Sequence, residues 1–200
     1  MKVRVAKVLR AISLLSSARN RLLNLGARSL SGQDISIDWR GLRVIHPERI
    51  SIGNRFSCGK SLWLESVDGR GEIKIGCDVN FSDNVHVGCA NRIVIEDGVL
   101  VGSKVLIIDH SHGRTGIASR RELSLNPNMR DIVSKGEVYI GPRVWIGDGV
   151  CILPGCSIGE AAIIGANAVV NCVVPPRSVW AGIPAQQIWT DRSPNADEVI

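Results

Sequence analysis

A six-residue periodicity in the C-terminal half of the chain limits the folds open to it. Between residues 140 and 175 an apolar residue recurs at every sixth position, in the units Ile140-Gly141, Ile146-Gly147, Ile152-Leu153, Ile158-Gly159, Ile164-Gly165 and Val170-Asn171. Four residues after each comes a second apolar or small residue, namely Val144, Val150, Cys156, Ala162, Ala168 and Val174. A helix would instead space apolar residues by three and four. The repeat therefore predicts short strands joined by tight turns, with two inward positions per hexapeptide.

The same register occurs earlier in the chain, at Ile52, Ile75, Phe81, Val87, Ile95, Val101 and Ile107. It breaks near residues 65–74 and 89–94, which we interpret as local insertions. Three hexapeptides make one triangular coil, and stacked coils pair their strands in parallel at ~4.8 Å. The sequence thus predicts an all-β left-handed parallel β-helix. A β-sandwich is the weaker alternative, because it needs period-two alternation with turn signals every ~8 to 12 residues.

Three segments depart from the repeat and define the predicted organisation. Residues 1–35 have apolar residues at helical spacing among basic ones and predict an amphipathic helical cap. The β-helix domain is expected over 36–189, with one protruding loop at 109–137, and a polar tail over 190–200. A loop of this length in a compact repeat is usually functional or disordered.

The formal charge of +5 comes from the N-terminal segment, since residues 1–33 carry seven Lys/Arg and no acidic residue. The charge is therefore local, and no nucleic-acid partner is expected. Besides capping the β-helix, this segment could lie on an anionic membrane surface. Its apolar stretch is interrupted by Arg10 and is shorter than the ~7 residues of a signal peptide. We expect a cytoplasmic location, with residues 1–33 available to the inner face of the membrane.

The stretch Asp109-His110-Ser111-His112 opens the long loop, where a regular strand ends. Together with Val144-Trp145-Ile146-Gly147, Ile152-Leu153-Pro154-Gly155, Ile164-Gly165-Ala166 and Ala181-Gly182-Ile183-Pro184-Ala185, it resembles the hexapeptide-repeat acetyltransferases. The pattern is most similar to the bacterial lipopolysaccharide and capsule O-acetyltransferases and to the galactoside and maltose acetyltransferases. The resemblance covers about residues 45–189. It implies a homotrimer that transfers acetyl from acetyl-CoA to a hydroxyl of a sugar or glycan, either soluble or lipid-linked.

The resemblance also implies roles for individual residues. His110 takes the place of the general base, because a neutral imidazole can accept the hydroxyl proton. His112 is the second candidate, and Asp109 either orients the ring or caps the turn. Asn84 corresponds to an acceptor-contacting residue, and Asp83 beside it is equally a turn residue. The donor would lie against Trp145, Asp148 and Ala166.

The chain departs from the family pattern where a basic residue often meets the CoA phosphates. Cys172 and Gln186 occupy those positions here and are uncharged, so Arg177 or Arg192 is the candidate substitute.

Two other functions are compatible with the same architecture. A γ-type carbonic anhydrase resemblance calls for an H-x-x-x-x-H pair, and the chain has none, so no metal is expected. A non-catalytic scaffold gives no reason for the Asp109–His112 cluster or the loop.

The six cysteines lack a C-x-x-C pair, and none adjoins a histidine in sequence, so neither zinc nor a cysteine acyl-enzyme is favoured. The sequence does not distinguish an amine acceptor from a hydroxyl acceptor.

Overall fold

The computed structural model describes residues 34–114 and 123–191. The chain winds through six complete coils of three short strands and begins a seventh. The first three coils contain β1 (Ser36–Ile37), β2 (Arg43–Ile45), β3 (Ile50–Ile52), β4 (Ser57–Cys58), β5 (Trp63–Ser66), β6 (Glu72–Ile75), β7 (Asn80–Phe81), β8 (His86–Cys89) and β9 (Arg92–Ile95). The fourth contains β10 (Leu100–Val101), β11 (Leu106–Ile108), β12 (His110–His112), β13 (Ile132–Ser134) and β14 (Val138–Ile140).

The last coils contain β15 (Trp145–Ile146), β16 (Cys151–Ile152), β17 (Ser157–Ile158), β18 (Ile163–Ile164), β19 (Val169–Val170), β20 (Val173–Val174), β21 (Ser178–Ala181) and β22 (Gln186–Thr190). Short 3-10 turns lie at Pro47–Arg49, Val67–Gly69 and Pro127–Met129. In residues 34–114 and 123–191 no helix is long and apolar enough to cross a bilayer.

Equivalent strands of successive coils form three parallel sheets, which are the faces of a prism. The first face runs β1-β4-β7-β10-β15-β18-β21, the second β2-β5-β8-β11-β16-β19, and the third β3-β6-β9-β14-β17-β20. We call the turns between the first and second faces the first corner, those between the second and third faces the second corner, and those leading to the next coil the third corner. The predicted left-handed parallel β-helix is confirmed.

The core is the interior of this prism, and the hexapeptide repeat supplies it. Every repeating apolar residue predicted between 140 and 174 is buried, as are Ile75, Phe81, Val87, Ile95, Val101 and Ile107. Glycine after the inward residue is explained by close coil stacking. At Gly147 a Cβ would lie 2.7 Å from the backbone nitrogen of Ala166 in the next coil, a distance that backbone atoms cannot accommodate without a shift.

The irregular segments collect at the second corner. The predicted breaks at 65–74 and 89–94 span this corner in the second and third coils, and the long loop leaves it in the fourth. The loop begins as an antiparallel ribbon in which β12 pairs with β13. At the far end, β22 folds back antiparallel on β21. The predicted N-terminal helix, residues 115–122 of the loop and residues 192–200 of the tail lie outside the described residues.

Candidate active site

Asp109 closes the second face of the fourth coil and is fully buried. Its carboxylate accepts hydrogen bonds from the backbone N–H groups of Ala90 (2.7 Å), Asn91 (2.8 Å) and Arg92 (2.8 Å), and the Cys89 thiol lies 3.4 Å away. These N–H groups belong to the second corner of the third coil. The chain leaves the prism at this corner in the fourth coil, so the Asp109 side chain provides the acceptors.

The environment of Asp109 keeps the carboxylate ionised. Burial by itself would raise its pKa, but hydrogen bonds from His110, Ala90, Asn91 and Cys89 outweigh burial and hold the pKa below its usual value. The charged form therefore receives the hydrogen bonds that stabilise it. Asp109 both caps the corner and contacts the neighbouring imidazole, so the two roles considered from the sequence coexist.

His110 lies beside this carboxylate, with its Nδ1 atom 3.2 Å from Oδ1 of Asp109 and its side chain 15% exposed. An ionised carboxylate only accepts hydrogen bonds, so Nδ1 of His110 carries the proton and donates it. The lone pair of the neutral ring then lies on Nε2, the nitrogen that can take a proton from a substrate. This arrangement matches the orienting pair of an imidazole general base.

His112 lies two residues further along β12, opposite Ile132 of β13, and is exposed. Side chains two apart on a strand point to the same side, so His110 and His112 share one side of the ribbon. The structure thus groups all three predicted catalytic residues.

A second imidazole, that of His86, lies next to this pair, and the sequence analysis did not single it out. Gly88 separates the two rings: a Cβ placed there would lie 3.4 Å from both Nε2 of His86 and Cε1 of His110. Burial lowers the pKa of His86; Glu65 opposes this, while His110 and Arg43 add to it.

His86 belongs to an aromatic stack on the outer side of the second face. Its ring is parallel to that of Trp63, with centroids 3.9 Å apart, and the guanidinium of Arg43 lies 4.3 Å from the Trp63 ring centroid on its other side. Glu65 stands next to the stack, with Oε2 at 3.8 Å from Nε2 of His86. The signal was present in the repeat, since residues 43, 63 and 86 occupy one register position in successive coils.

The predicted acceptor residues Asn84 and Asp83 lie at the first corner of the third coil, across the second face from His110. Asp83 is a turn residue: its Oδ1 accepts the backbone N–H of Lys60 at 3.0 Å. Asn84 is exposed and adopts a left-handed conformation with φ of 59°. The structure does not bring these two residues next to His110 within one protomer.

Three of the four predicted donor-site residues line one groove along the first face and first corner. Trp145, Asp148 and Ala166 enclose a cavity of about 370 Å³, together with Gly147, Ile163, Ile164 and Gly165. Oδ1 of Asp148 also accepts the backbone N–H of Ser103 at 2.6 Å, so this carboxylate supports the corner as well. The groove is mainly apolar and fits a long neutral arm such as pantetheine.

Arg177 is separated from this groove, because it lies at the third corner, where its backbone N–H bonds to Glu160. Cys172 is half-buried at the second corner, and Gln186 begins β22. No Lys or Arg is among the described residues that line the donor groove. The cation that would meet CoA phosphates is therefore not identified by the groove itself.

Comparison with known proteins decides the family. Residues 137–172 match the family model for the bacterial transferase hexapeptide (six repeats). WbbJ of Escherichia coli, named for O-acetyl transfer in lipopolysaccharide biosynthesis, is 38% identical over 140 residues, which cover 70% of each chain. The chain belongs to the hexapeptide-repeat acyltransferases. It is thus an enzyme of the acyltransferase class, as the motifs predicted.

Other relatives agree with this assignment. Galactoside O-acetyltransferase of Escherichia coli is 34% identical over 116 residues, 54% of this chain and 55% of that enzyme. The hexapeptide-repeat acetyltransferase VCA0836 of Vibrio cholerae, solved with acetyl coenzyme A, is 26% identical with a TM-score of 0.60 over 74% of this chain and 75% of that one. The N-acyltransferase AntD of Bacillus cereus, at 18% identity, has a TM-score of 0.67 over 84% of this chain and 89% of its own, and shows the fold.

The residues that the structure describes contain no cluster of three or more His, Cys, Asp or Glu side chains arranged to hold a metal ion. All six cysteines are free thiols, and burial raises the pKa of Cys58 to about 12 and raises that of Cys89 further. Cys89 is the thiol closest to the imidazole pair, beside Asp109. A thiol held in its protonated form is a poor nucleophile, which disfavours an acyl-cysteine route at this position.

Proposed function

We propose that the protein transfers an acetyl group from acetyl-CoA to a sugar hydroxyl, with His110 as general base. The observation that carries the proposal is the Asp109–His110 pair, in which a buried carboxylate fixes the ring so that Nε2 is the proton acceptor. Bound acetyl-CoA supplies the acetyl group as a thioester. The apolar groove at Trp145 and Ala166 supports this choice of donor.

The protein's own residues contribute orientation and proton transfer. Nε2 of His110 takes the proton of the acceptor hydroxyl as the hydroxyl oxygen attacks the thioester carbonyl carbon of acetyl-CoA. Asp109 stabilises the imidazolium that forms. The proton then passes from His110 to the departing thiolate, which restores the neutral ring. Transfer is direct, and no acyl-enzyme forms.

A homotrimer is part of the proposal, because the two halves of the site lie on different edges of one protomer. His110 is at the second corner, whereas Trp145, Asp148, Asp83 and Asn84 line the first face and first corner. The face between these corners is several residues wide, at about 3.3 Å per residue. A neighbouring subunit that places its first corner against His110 would complete the site. Sedimentation equilibrium should then give a trimer, and an active monomer would contradict this.

The role in lipopolysaccharide, capsule or exopolysaccharide biosynthesis is also proposed, and it is supported by the name and identity of WbbJ. If the acceptor is lipid-linked, the seven cations of residues 1–33 would add membrane affinity, at ~1 kcal/mol for each cation near the surface. Reversing the charges of Arg4, Lys7 and Arg10 should abolish binding to phosphatidylserine vesicles and spare turnover of soluble acceptors. If the wild-type protein does not bind such vesicles at low salt, membrane binding by residues 1–33 is contradicted and only the proposed role as a cap remains.

The deciding experiment measures thiol release from acetyl-CoA against nucleotide sugars, lipid-linked glycans, simple glycosides and amino sugars. Acetyl transfer to a hydroxyl, identified by mass spectrometry, is the expected result. Transfer only to amines would replace O-acetylation by N-acetylation. No transfer to any acceptor of this panel would contradict the proposed sugar acetylation.

A further inference from the structure

The second face carries unsatisfied hydrogen-bonding groups within two coils of His110. In the described part of the chain, Nε1 of Trp63 and Nε2 of His86 are buried without a hydrogen-bond partner. A buried polar atom left unpaired costs about 1–3 kcal/mol, and such atoms in a native fold call for an explanation. The stack of Arg43, Trp63 and His86 thus keeps two unpaired polar atoms next to the proposed catalytic base. This position indicates a role in binding the substrate.

Glu65 is the charged group at the accessible edge of this stack. Its side chain is 25% exposed, and its Oε2 atom is too far from Nε2 of His86, at 3.8 Å, for a direct hydrogen bond. The register aligns Glu65 with Gly88 and then with Ile108, the residue before Asp109. At about 4.8 Å per coil, the Glu65 backbone lies two coils, or about 10 Å, from the strand that ends in the Asp109–His110 pair.

Gly88 lies between Glu65 and His110, contributes no side chain there, and is buried beneath the neighbouring side chains. It occupies an outward position on β8, where any other residue would place a side chain between the carboxylate and the imidazole. His86, His110 and Ile108 all approach the space where that Cβ would be, at 3.4 Å each. A sugar whose hydroxyl reaches His110 would therefore extend its ring along the second face, across the side chains that cover Gly88, towards Glu65.

We propose that Glu65 is an acceptor-binding residue that accepts a hydrogen bond from a second hydroxyl of the sugar, and that His86 positions it. This inference rests on the proposed sugar O-acetyltransferase activity. One carboxylate oxygen of Glu65 turns towards Nε2 of His86, and the other faces the acceptor. The first hydroxyl is then held at His110 while the second fixes the orientation of the ring.

The charge of Glu65 defines the class of acceptor. A carboxylate accepts hydrogen bonds from hydroxyl or ammonium groups but repels another carboxylate, and the buried Asp109 adds negative charge nearby. The site therefore selects neutral sugars, or amino sugars with a free ammonium group, and rejects uronic acids. Arg43 does not offset this, since its guanidinium lies against the far side of Trp63.

The test uses the full-length protein with its best neutral acceptor, a set of its mono-deoxy analogues and the matching uronic acid. Glu65→Gln should lower kcat/KM for the neutral acceptor about tenfold or more, mainly through KM, while KM for acetyl-CoA stays unchanged. One deoxy analogue should be poor for the wild type, with little further loss in Glu65→Gln. The uronic acid should become a relatively better acceptor in this variant.

Glu72→Gln is the matched control, because it makes the same change in the same coil on the third face, where Glu72 meets Arg92. It should behave as wild type. His86→Gln should raise the acceptor KM in the same direction as Glu65→Gln. Unchanged acceptor kinetics in Glu65→Gln would overturn the proposal, as would a loss of activity that follows a loss of the trimer in sedimentation, because Glu65 would then be a subunit contact.

The two proposals fail in distinguishable ways. If the wild type transfers acetyl to no sugar, the proposed function fails. If the wild type is active on sugars and Glu65→Gln discriminates neutral from acidic acceptors as the wild type does, only the role of Glu65 fails.

Discussion

Asp109 connects His110 to the third coil as well as to the fourth. Its Oδ1 atom lies 3.2 Å from Nδ1 of His110, and the same carboxylate accepts three backbone N–H hydrogen bonds from residues 90–92 of the third coil. The imidazole is therefore fixed relative to the rigid prism rather than to the loop that follows it. Such preorganisation is what a general base needs, because misplacement by even ~1 Å lowers the rate strongly. The pair thus connects a corner of the structural repeat to the proposed chemical step.

Removal of the His110 imidazole should therefore affect the chemical step. His110→Ala should lower kcat by roughly 10²- to 10⁴-fold and leave acetyl-CoA affinity nearly unchanged, because the positioned base is lost and the donor groove is intact. Steady-state kinetics and calorimetric acetyl-CoA titration measure the two quantities.

His112→Ala and His46→Ala are the controls for this prediction. His112 is exposed on the ribbon and should matter much less, and His46 lies three coils away at the same corner and should not matter. Full activity in His110→Ala with near-complete loss in His112→Ala would transfer the role to His112. Full activity in both would remove general-base catalysis from this site.

Replacement of the Asp109 carboxylate should affect stability as well as catalysis. Asp109→Ala leaves three half-buried N–H groups without acceptors and should destabilise the fold by about 3 kcal/mol or more. Because the folded-state pKa of Asp109 is lowered, its stabilisation is present above the unfolded value of about 3.9 and is lost as pH falls through the folded pKa. Urea unfolding from neutral pH down to acid should show this loss in the wild type and a flatter profile in Asp109→Asn. Equal profiles would contradict it.

The fold was predictable because its signal is local and repeated. Wherever the chain keeps the six-residue register, the repeating apolar residues point inward, as at Ile140, Ile146 and Ile152. Each further coil repeats the same pattern, so the prediction does not depend on any single coil. The second corner escaped prediction in detail. Its connections differ in length from coil to coil, and turn geometry there depends on acceptors from another coil, such as Asp109.

The site was predictable only in part, for a related reason. His110 lies in a distinctive motif at the end of the repeat, whereas His86 and Glu65 are single outward residues outside any motif, and only the register between coils relates His86 to Trp63 and Arg43. They approach His110 only after the coils are stacked in register, across Gly88. Conversely, Asp83 and Asp148 stand in motif-like positions, but their carboxylates bond to the backbone of Lys60 and Ser103 in the preceding coil.

Two adjacent residues of β15 allow the proposed donor binding to be separated from stability. Trp145 points outward into the proposed donor groove and is 52% exposed, while Ile146 points inward and is fully buried. Trp145→Ala should raise KM for acetyl-CoA about fivefold to tenfold and change stability by less than ~1 kcal/mol. Ile146→Ala should cost about 2–5 kcal/mol through the cavity it leaves. Loss of stability in Trp145→Ala comparable to that in Ile146→Ala would assign the indole to the repeat alone.

His86 should make the fold sensitive to mild acid. Its pKa is lowered mainly by burial, so the unfolded chain, with a pKa of about 6.5, binds a proton more readily than the folded chain. The stability contributed by neutral His86 is complete above that value and is lost as pH falls towards the folded pKa. Thermal unfolding should show a lower midpoint at about pH 5.5 than at about pH 7.5.

His86→Phe keeps an aromatic ring against Trp63 and removes the titrating group, so its midpoint should change less between these conditions. If His86→Phe loses as much stability on acidification as the wild type, the acid sensitivity belongs to other groups and His86 does not limit the stability of the second face.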